Sequence, residues 1–381
     1  MRSLLVNALS VTNPSGRHVL QGHLTQIVDG LAGRCRVVIV CRADLSGLHE
    51  IFGSRVDWVR APSATRGWLF RSVWERLRLA SLAKRCGADV YFTPSGMAAH
   101  LPRAVKQVVF CQNPWALVPA ARRRRDAFKA WLQRRAYRRA VRAADVLVCN
   151  SAYMQEAYRA NAGIREKRGL VAHLAADDAT HARAAALADT RRKPGQICCV
   201  SVMARHKNAE AVVRALARVR AAVPEARLVF AGSWPDAAYE RKIRRLVAAL
   251  GLAGDVNFAG FLPRAELDRL YAESQVFCLM SRCESFGIPA LEAQLFGTPV
   301  VSSAVCAIPE ICGRGGLFRD PDDVPGVAAA LQSLLEDNAE WSRLSAAARA
   351  NAARFTWAES SRLLVERLAE RAASGTGGGV P

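Results

Sequence analysis

The chain lacks the features that mark several classes of protein. Its eleven cysteines include no Cys-x-x-Cys pair, so neither a zinc ribbon nor a disulfide framework is indicated, and a reducing compartment is expected. No segment reaches the roughly 18 consecutive apolar residues that a membrane-spanning helix needs. Polar Asn13, Ser15 and Arg17 follow the first apolar run, which is typical of a core strand and not of a signal peptide. We therefore expect a cytoplasmic protein.

Acidic residues are also scarce, since 33 of them face 54 lysines and arginines, which leaves a net charge of +21. Much of the excess lies between Arg122 and Arg142, where apolar and aromatic residues recur at the spacing of one helix face. Such a helix could lie peripherally on an anionic membrane surface or simply be solvated. Nucleic acid is not expected, because charge alone supports it and no known nucleic-acid-binding motif is present. The arginines with which we associate a membrane contact are Arg122, Arg123, Arg124, Arg125, Arg134 and Arg135.

Strand-like and helix-like segments alternate along the 381 residues, which predicts two α/β domains of ordinary size, each with a parallel sheet covered on both faces. A first domain is predicted over residues 1–175 and a second over 196–355. Residues 176–195 are predicted to be the linker and 374–381 a disordered tail. The loop at residues 13–17 is predicted to precede a helix over 18–31, and Ser151 to cap the helix that follows it.

The stretch from Cys278 to Asp320 carries the clearest chemistry. A buried strand leads through a polar loop into Gly287-Ile288-Pro289 and an apolar helix. Glycine lets the backbone approach a ligand, and the free N–H groups and dipole of a helix start favour an anion such as phosphate. Glu284 before the turn and Glu292 after it add carboxylates, which are good acceptors for hydroxyl groups. A ligand that carries both phosphate and hydroxyls, such as a sugar nucleotide, has this composition.

A second cationic element precedes this stretch in the chain. Arg205 and Lys207 follow the predicted strand 197–202 and open a helix. Two basic residues at a helix start are electrostatically unfavourable without an anion nearby, whereas together they could neutralise a diphosphate. The pattern therefore favours a ligand over a purely structural role.

The run Glu284-Ser-Phe-Gly-Ile-Pro-Ala-Leu-Glu292, followed by Gly297-Thr-Pro-Val-Val301 and Ile308-Pro-Glu310, resembles the E-x7-E signature of retaining glycosyltransferases of family four. The resemblance implies the GT-B fold: two Rossmann-like, doubly wound domains that face each other across a cleft. It also implies that a C-terminal helix, residues 356–373, packs back on the first domain. The donor would be a GDP- or UDP-linked sugar, with no other cofactor.

The resemblance also implies roles for individual residues. Glu284 would contact the donor sugar, Lys207 and Arg205 would stabilise the departing diphosphate, and Glu292 would accept from the ribose hydroxyls. The remaining donor contacts would come from the backbone at Phe286, Gly287 and Ile288, from the backbone at Phe261 and Leu262 beside the base, and from Gly16 in the first loop. In the family the arginine usually lies further ahead of the lysine, where Val202 stands here. No metal is expected, because no Asp-x-Asp lies where a divalent ion could bridge the diphosphate.

The chain departs from the family pattern after the predicted strand 105–111. Many members carry a histidine there, whereas this chain has Gln112 and Asn113. An amide can contact the sugar or the acceptor by hydrogen bonds but cannot shuttle a proton. The expected function is therefore a retaining, metal-independent hexosyltransferase, with a glycan or lipid-linked acceptor in polysaccharide or lipopolysaccharide assembly. The alternatives are a catalytically impaired GT-B binding or regulatory protein, a sugar-nucleotide epimerase of the same fold, and a basic nucleic-acid-binding protein.

Overall fold

A computed structural model describes residues 2–12, 14–45, 47–119, 126–164 and 169–373. Contacts between Cα atoms divide the chain into two compact units. The first contains Met1–Leu117, Arg123–Ala175 and the helix that begins at Trp357, and the second contains Val118–Arg122 and Ala176–Thr356. Each unit is an α/β domain with a parallel sheet, as the sequence predicts.

The first domain has a seven-stranded sheet in the order β3-β2-β1-β4-β5-β6-β7, with every neighbouring pair parallel. Its strands are β1 (Arg2–Asn7), β2 (Cys35–Cys41), β3 (Asp57–Arg60), β4 (Val90–Thr93), β5 (Lys106–Cys111), β6 (Val146–Cys149) and β7 (Leu170–Val171). Its helices before the second domain are α1 (Pro14–Gly30), α2 (Gly47–Phe52), α3 (Trp68–Arg85), α4 (Ala127–Ala143) and α5 (Ala152–Ala162).

Local sequence explains where several of these elements begin and end. Strands β4 and β6 are buried at every position, because helices cover both faces of a parallel sheet. The Ser151 hydroxyl accepts a hydrogen bond from the N–H of Met154 at 3.2 Å, which confirms the predicted cap of α5. Helix α1 starts at Pro14, earlier than predicted, so Gly16 lies in its first turn and not in a loop. Proline is favoured at the start of a helix because its fixed φ suits the first turn.

The second domain has a six-stranded parallel sheet in the order β10-β9-β8-β11-β12-β13. Its strands are β8 (Lys193–Val200), β9 (Arg227–Ala231), β10 (Val256–Gly260), β11 (Ser274–Leu279), β12 (Val300–Ser303) and β13 (Gly316–Arg319). Its helices are α6 (Asp178–Ala186), α7 (Ala209–Val219), α8 (Ala237–Ala249), α9 (Arg264–Glu273), α10 (Ile288–Leu295), α11 (Ile308–Cys312), α12 (Val324–Glu336) and α13 (Asn338–Ala352).

The segment predicted to be an irregular linker contains helix α6 and the first residues of β8. The Asp177 carboxylate accepts from the N–H of Thr180 at 2.7 Å and caps this helix, whose interior is rich in alanine. The run of alanine and aspartate that we interpreted as a linker is therefore a capped helix. It belongs to the second domain.

The last helix, α14 (Trp357–Ala373), returns to the first domain and packs on α1. The Trp357 indole stacks edge-on against the buried His23 ring, with 4.9 Å between centroids. A Cβ atom at Gly22 would lie 2.1 Å from the Trp357 side chain, so the close approach of the two helices requires glycine there. Tail residues 374–381 lie outside the described residues.

Candidate functional site

The order of the strands in the second sheet reverses between β8 and β11. The chain runs outward from β8 through β9 and β10, then returns to the other side of β8 to form β11, β12 and β13. The loops that leave the carboxyl ends of two such strands diverge, and the crevice between them is the usual ligand site of an open α/β sheet. In this domain those loops are residues 201–208 and 280–287.

Lys207 and Glu284 form an ion pair across this switch point, Lys207 from the loop after β8 and Glu284 from the loop after β11. Their side chains are only 14% and 13% exposed, so solvent screens the pair weakly. The backbone joins the two loops as well, because the N–H of Arg282 donates to the carbonyl of His206 at 2.7 Å. The predicted lysine and first glutamate are thus brought together by the fold.

His206 lies within the same loop, between the two basic residues singled out in the sequence. Burial, and next the neighbouring Lys207 charge, lower the pKa of His206 to about 4. The imidazole is therefore neutral at physiological pH, and the positive charge of this loop is carried by its lysine and arginine.

Gly287 forms the N-cap of helix α10 in the left-handed region, with φ +98°. An added Cβ would lie 3.2 Å from Ile308 Cγ1, so the turn suits glycine for both its conformation and its space. The Phe286 ring is buried against Phe355, with 5.9 Å between centroids, which leaves the backbone of this turn as the part that a ligand could reach. The sequence pattern places Gly287-Ile288-Pro289 before the helix, but α10 begins at Ile288, so Ile288 and Pro289 lie in its first turn.

Glu292 is held by two donors that the sequence did not single out. Arg264 Nη1 lies 2.6 Å from Oε1, and the Tyr271 hydroxyl donates to Oε2 at 3.1 Å. Arg264 Nη2 also lies 2.6 Å from Oδ1 of the buried Asp268, whose Oδ2 accepts from Arg183 at 2.6 Å. Each Glu292 oxygen keeps a second lone pair, so the carboxylate is oriented and still able to accept a hydroxyl.

This network shifts the ionisation of its members. Burial lowers the pKa of Arg264, but the carboxylates of Glu292 and Asp268 raise it by more, so the net shift is upward. Arg264 therefore stays charged. Because Arg264 opens α9, the same argument that favoured a ligand at Lys207 could have drawn attention to it: a basic residue at a helix start needs a nearby anion.

Arg205 is directed away from the Lys207 pair. Its Nε donates to Asp236 at 3.1 Å, its guanidinium lies over the Tyr239 ring at 5.3 Å, and half of its side chain is exposed. Val202, where the family usually has its arginine, is also exposed. A role for Arg205 in holding a diphosphate therefore stays a prediction, and it would require the Asp236 contact to break.

Phe261 and Leu262 follow β10 at the carboxyl edge of the sheet. The Phe261 side chain is 84% exposed, an unusual state for a large aromatic residue. Gly260 before it has φ +67°, and its carbonyl accepts from the N–H of Gly232 at 2.6 Å. This contact ties the loop to the end of β9.

A third loop, after β12, closes around Glu284 and was not recognised in the sequence. The N–H of Ala307 donates to the Glu284 carbonyl at 3.3 Å, and Cys306 adopts a left-handed conformation with φ +66°. Burial, and next the Glu284 charge, raise the pKa of the Cys306 thiol to about 12, so the thiol stays protonated. A positive φ at a non-glycine residue indicates a constrained loop. No sequence pattern predicts this conformation at Cys306.

The predicted residues of the first domain are partly engaged in local contacts. Gln112 Nε2 donates to the Pro94 carbonyl at 3.2 Å, and the Asn113 side chain accepts from the N–H of Trp115 at 3.0 Å. Gly16 is half-buried in the first turn of α1. Their proposed contacts with sugar, acceptor or phosphate stay predictions.

The predicted membrane-binding arginines fall into two groups. Arg122, Arg123, Arg124 and Arg125 lie outside the described residues. Arg134 and Arg135 lie exposed on α4, where Arg134 donates to the side chain of Asn161 at 3.0 Å. Among the helices described, none combines the length and the apolar character that crossing a bilayer demands.

The side chains that could bind a metal do not cluster in the ranges that the structure covers. No cluster of three histidine, cysteine or carboxylate side chains there is arranged to hold an ion. The sequence does contain one Asp-x-Asp, Asp320-Pro321-Asp322, immediately after β13. Asp320 accepts from the N–H of Asp322 at 2.8 Å, and the Asp322 side chain pairs with Arg282, so both carboxylates serve the local loop structure.

Two parallel-sheet Rossmann-like domains, together with the solved structures they match, define the GT-B architecture. The chain superposes on sucrose-phosphate synthase from Thermosynechococcus elongatus with a TM-score of 0.76 at 18% identity, covering 98% of this chain and 100% of that one. It superposes on the HepE protein of Anabaena in complex with UDP and glucose with a TM-score of 0.73 at 18% identity, covering 97% and 100%. At such low identity these likenesses concern the fold.

Sequence profiles identify the family. Residues 20–179 match the profile described as Glycosyltransferase Family 4, and residues 187–351 match that of Glycosyl transferases group 1. The chain belongs to the family-four glycosyltransferases, as the sequence motif indicated.

Curated relatives are similar over part of their length. The O-antigen chain mannosyltransferase B of Escherichia coli is 41% identical over 106 residues, 27% of each chain. The D-inositol 3-phosphate glycosyltransferase of Stackebrandtia nassauensis is 39% identical over 165 residues, 41% of this chain and 37% of that one. The matches thus span well under half of these relatives.

Proposed function

We propose that the protein is a retaining, metal-independent hexosyltransferase. It would transfer a sugar from a GDP- or UDP-linked donor to a glycan or lipid-linked acceptor in bacterial polysaccharide or lipopolysaccharide assembly. The observation that carries this proposal is the weakly screened Lys207–Glu284 ion pair at the switch point of the second sheet. Mannosyl transfer is favoured by two relatives from Escherichia coli, the O-antigen chain mannosyltransferase B and the serotype-specific mannosyltransferase WbdA.

In this proposal the loop after β8 binds the leaving group. The Lys207 ammonium neutralises the donor diphosphate as negative charge develops on it, and the backbone of Phe286, Gly287 and Ile288 adds N–H groups at the start of α10. Glu284 exchanges part of its contact with Lys207 for the hydroxyls of the donor sugar and the developing positive charge at the anomeric carbon. Arg205 joins the diphosphate if it leaves Asp236.

The nucleoside part of the donor would lie toward α10 and the loop after β10. Glu292, which Arg264 and Tyr271 already orient, accepts from the ribose hydroxyls. The backbone at Phe261 and Leu262 contacts the edge of the base. These assignments require no movement of the Arg264 network, because the unused lone pairs of Glu292 are the acceptors.

The reaction needs no protein base on the acceptor side. The acceptor oxygen bonds to the anomeric carbon on the face from which the diphosphate departs, while the bond from that carbon to the diphosphate oxygen breaks. The acceptor proton passes to the departing diphosphate. Gln112 and Asn113, which are amides, contribute hydrogen bonds to sugar or acceptor and carry no proton in this scheme.

The basic helix α4 supports a further part of the proposal, peripheral association with an anionic membrane surface on the cytoplasmic side. Its sequence is strongly cationic, and Phe128 and Trp131 on it are exposed. This association would bring the protein close to lipid-linked acceptors.

A donor panel tests the proposal. Purified protein is incubated with GDP-mannose, UDP-glucose, UDP-galactose or UDP-N-acetylglucosamine in the presence of EDTA, and nucleotide release and thermal protection are measured. We expect one donor to raise the melting temperature and to be turned over, and the anomeric configuration of the product, read by NMR, to match that of the donor. An inverted product refutes the retaining mechanism. Binding of a donor without any turnover, even with acceptor extracts, would favour a regulatory GT-B protein.

A further inference from the structure

The first domain contains its own switch point and a cavity beside it. Strand order in its sheet reverses between β1 and β4. A cavity of about 880 Å³ lies between α3, α4 and the loop after β4, with Tyr91 of β4 in its wall. The cavity therefore lies on the β4 side of this switch point, and the switch point of an open α/β sheet is where ligands commonly bind.

The inner part of the cavity is polar and buried. Asn7, at the end of β1, donates to Glu75 Oε1 and approaches the Tyr91 hydroxyl, both at 2.9 Å. Burial raises the pKa of Glu75 despite the hydrogen bond from Asn7 and the charge of Arg71. Glu75 lines the cavity, and a carboxylate that accepts one hydrogen bond can still accept another from a hydroxyl group of a ligand.

Arginines dominate the wall nearer to solvent: Arg76, Arg135, Arg138, Arg139 and Arg142. Among the described residues, the first four have no carboxylate within ion-pair distance, and Arg138 Nε is buried without a hydrogen-bond partner. Burial, and next the charges of Arg139 and Arg76, lower the pKa of His100 on the same wall. Like charges held together around a cavity are unfavourable unless an anion joins them, and guanidinium groups suit phosphate.

An exposed apolar stripe continues outward from the cavity along α3. Leu69, Val73 and Leu77 follow one another at intervals of four residues, so they share one face of the helix, and their exposures are 62%, 57% and 70%. Val73 also lines the cavity. The stripe is therefore continuous with the arginine wall, and a hydrocarbon chain attached to a phosphate could follow it.

We propose that this cavity is the binding site for a lipid-linked acceptor. A sugar hydroxyl of the acceptor donates to Glu75, its phosphate or diphosphate binds the arginines, and its hydrocarbon chain lies along Leu69, Val73 and Leu77. This inference rests on the proposed function for its sugar, but the phosphate and hydrocarbon contacts are independent of any transfer reaction. A soluble phosphorylated sugar shares the phosphate chemistry and is the competing ligand.

Three probes distinguish a lipid-linked acceptor from a soluble phosphorylated sugar. Farnesyl phosphate carries a phosphate and a hydrocarbon chain, farnesol lacks the phosphate, and mannose 1-phosphate lacks the hydrocarbon chain. Affinity is measured by tryptophan fluorescence in the absence of donor. We expect farnesyl phosphate to bind at least about tenfold more tightly than either other probe, and its affinity to fall with salt, since phosphate contacts are screened. Equal binding of mannose 1-phosphate would overturn the assignment to a lipid. Failure of farnesyl phosphate to bind would overturn the site.

Variants then locate the contacts. Arg135→Ala combined with Arg139→Ala should weaken farnesyl phosphate at least about tenfold and flatten the salt dependence. Leu69→Ser combined with Leu77→Ser should remove most of the difference in affinity between farnesyl phosphate and mannose 1-phosphate. The matched control is Arg78→Ala combined with Arg85→Ala, because both arginines are exposed on α3 and lie outside the cavity lining. An equal loss in this control would mean that total charge and not the cavity is responsible, which refutes the proposal.

Two further measurements keep the outcomes distinct. Melting temperatures of all variants establish that they fold. Protection by GDP and UDP, which reports on the second domain, should be unchanged in the cavity variants. If no sugar nucleotide binds or reacts while farnesyl phosphate still binds as described, the proposed function fails and the cavity assignment stands. If a sugar nucleotide binds and reacts while farnesyl phosphate does not bind, the cavity assignment fails and the proposed function stands.

Discussion

Replacing Lys207 by methionine is the most direct test of the proposed donor site. Methionine keeps most of the length and apolar volume of the lysine stem and removes only the ammonium group. The variant therefore takes away the positive charge at the switch point of the second sheet while filling the same space. Glu284 loses its ion-pair partner at the same time.

The structure sets the size of the expected effect. Two unit charges about 4 Å apart interact by about 4 kcal/mol at an effective dielectric constant of about 20, a reasonable value for side chains only 14% and 13% exposed. A preorganised group that meets developing charge in a transition state contributes about 3 to 4 kcal/mol, or roughly 100- to 1000-fold in kcat. The two figures agree, so we expect kcat/KM to fall by about 100- to 1000-fold. Orphaning Glu284 should cost a further ~1–3 kcal/mol of folding stability.

The assay compares steady-state transfer and thermal unfolding for two lysine variants. The matched control is Lys242→Met, because Lys242 also pairs with a glutamate in this domain, Glu210 at 2.8 Å, but its side chain is 58% exposed. Glu210 is only 13% exposed, but it also accepts from the Tyr239 hydroxyl, so it is not left without a donor when Lys242 is replaced. An ion pair with one exposed partner contributes about 1 kcal/mol, so activity should stay within about twofold of the parent protein. When Lys207→Met is combined with Glu284→Gln, no buried charge is left unpaired, so folding stability should recover. Transfer activity should not recover. Substantial activity in Lys207→Met, or an equal loss in Lys242→Met, would refute the assignment.

Three other perturbations test the fold and the site. Arg264→Met leaves Glu292 with Tyr271 as its remaining donor, so affinity for GDP or UDP, measured by titration, should fall about tenfold or more; unchanged affinity would separate Glu292 from the nucleotide. Gly232→Ala places a Cβ 1.8 Å from a backbone oxygen at φ +125° and should cost about 3 kcal/mol or more in denaturant unfolding, whereas Gly254→Ala, with open space around it, should be nearly neutral; equal costs would contradict the clash. Burial lowers the pKa of His23 to about 3, below its unfolded value of about 6.5. The unfolded chain therefore binds the extra proton, and stability should fall by up to about 1.4 kcal/mol per pH unit as pH drops from about 6.5 toward 3. His23→Asn should remove from this slope the contribution of about one proton, about 1.4 kcal/mol per pH unit. An unchanged slope would contradict the buried neutral state of His23.

The sequence by itself determined the fold class and singled out the residues at the centre of the proposed donor site. Alternating strand and helix patterns predict two parallel α/β domains, and Ser151 caps α5 as the sequence predicts. The Gly287-Ile288-Pro289 turn and the basic residues before α7 were recognisable because glycine, proline and paired charges have strong local preferences. Local preferences, however, do not distinguish an alanine-rich linker from a capped helix, which is why α6 was missed.

Only the tertiary structure decided which side chains meet. Lys207 and Glu284 are 77 residues apart in the sequence, and Glu292 and Arg264 are 28 apart, yet each pair is in contact. The order of the strands produces these contacts, because it places the carboxyl ends of β8 and β11 side by side. The arginine-walled cavity likewise requires α3 and α4 to pack on either side of the loop after β4. A local pattern fixes where a helix or strand forms, but the burial and pairing of charges depend on distances across the sheet, which only the folded chain defines.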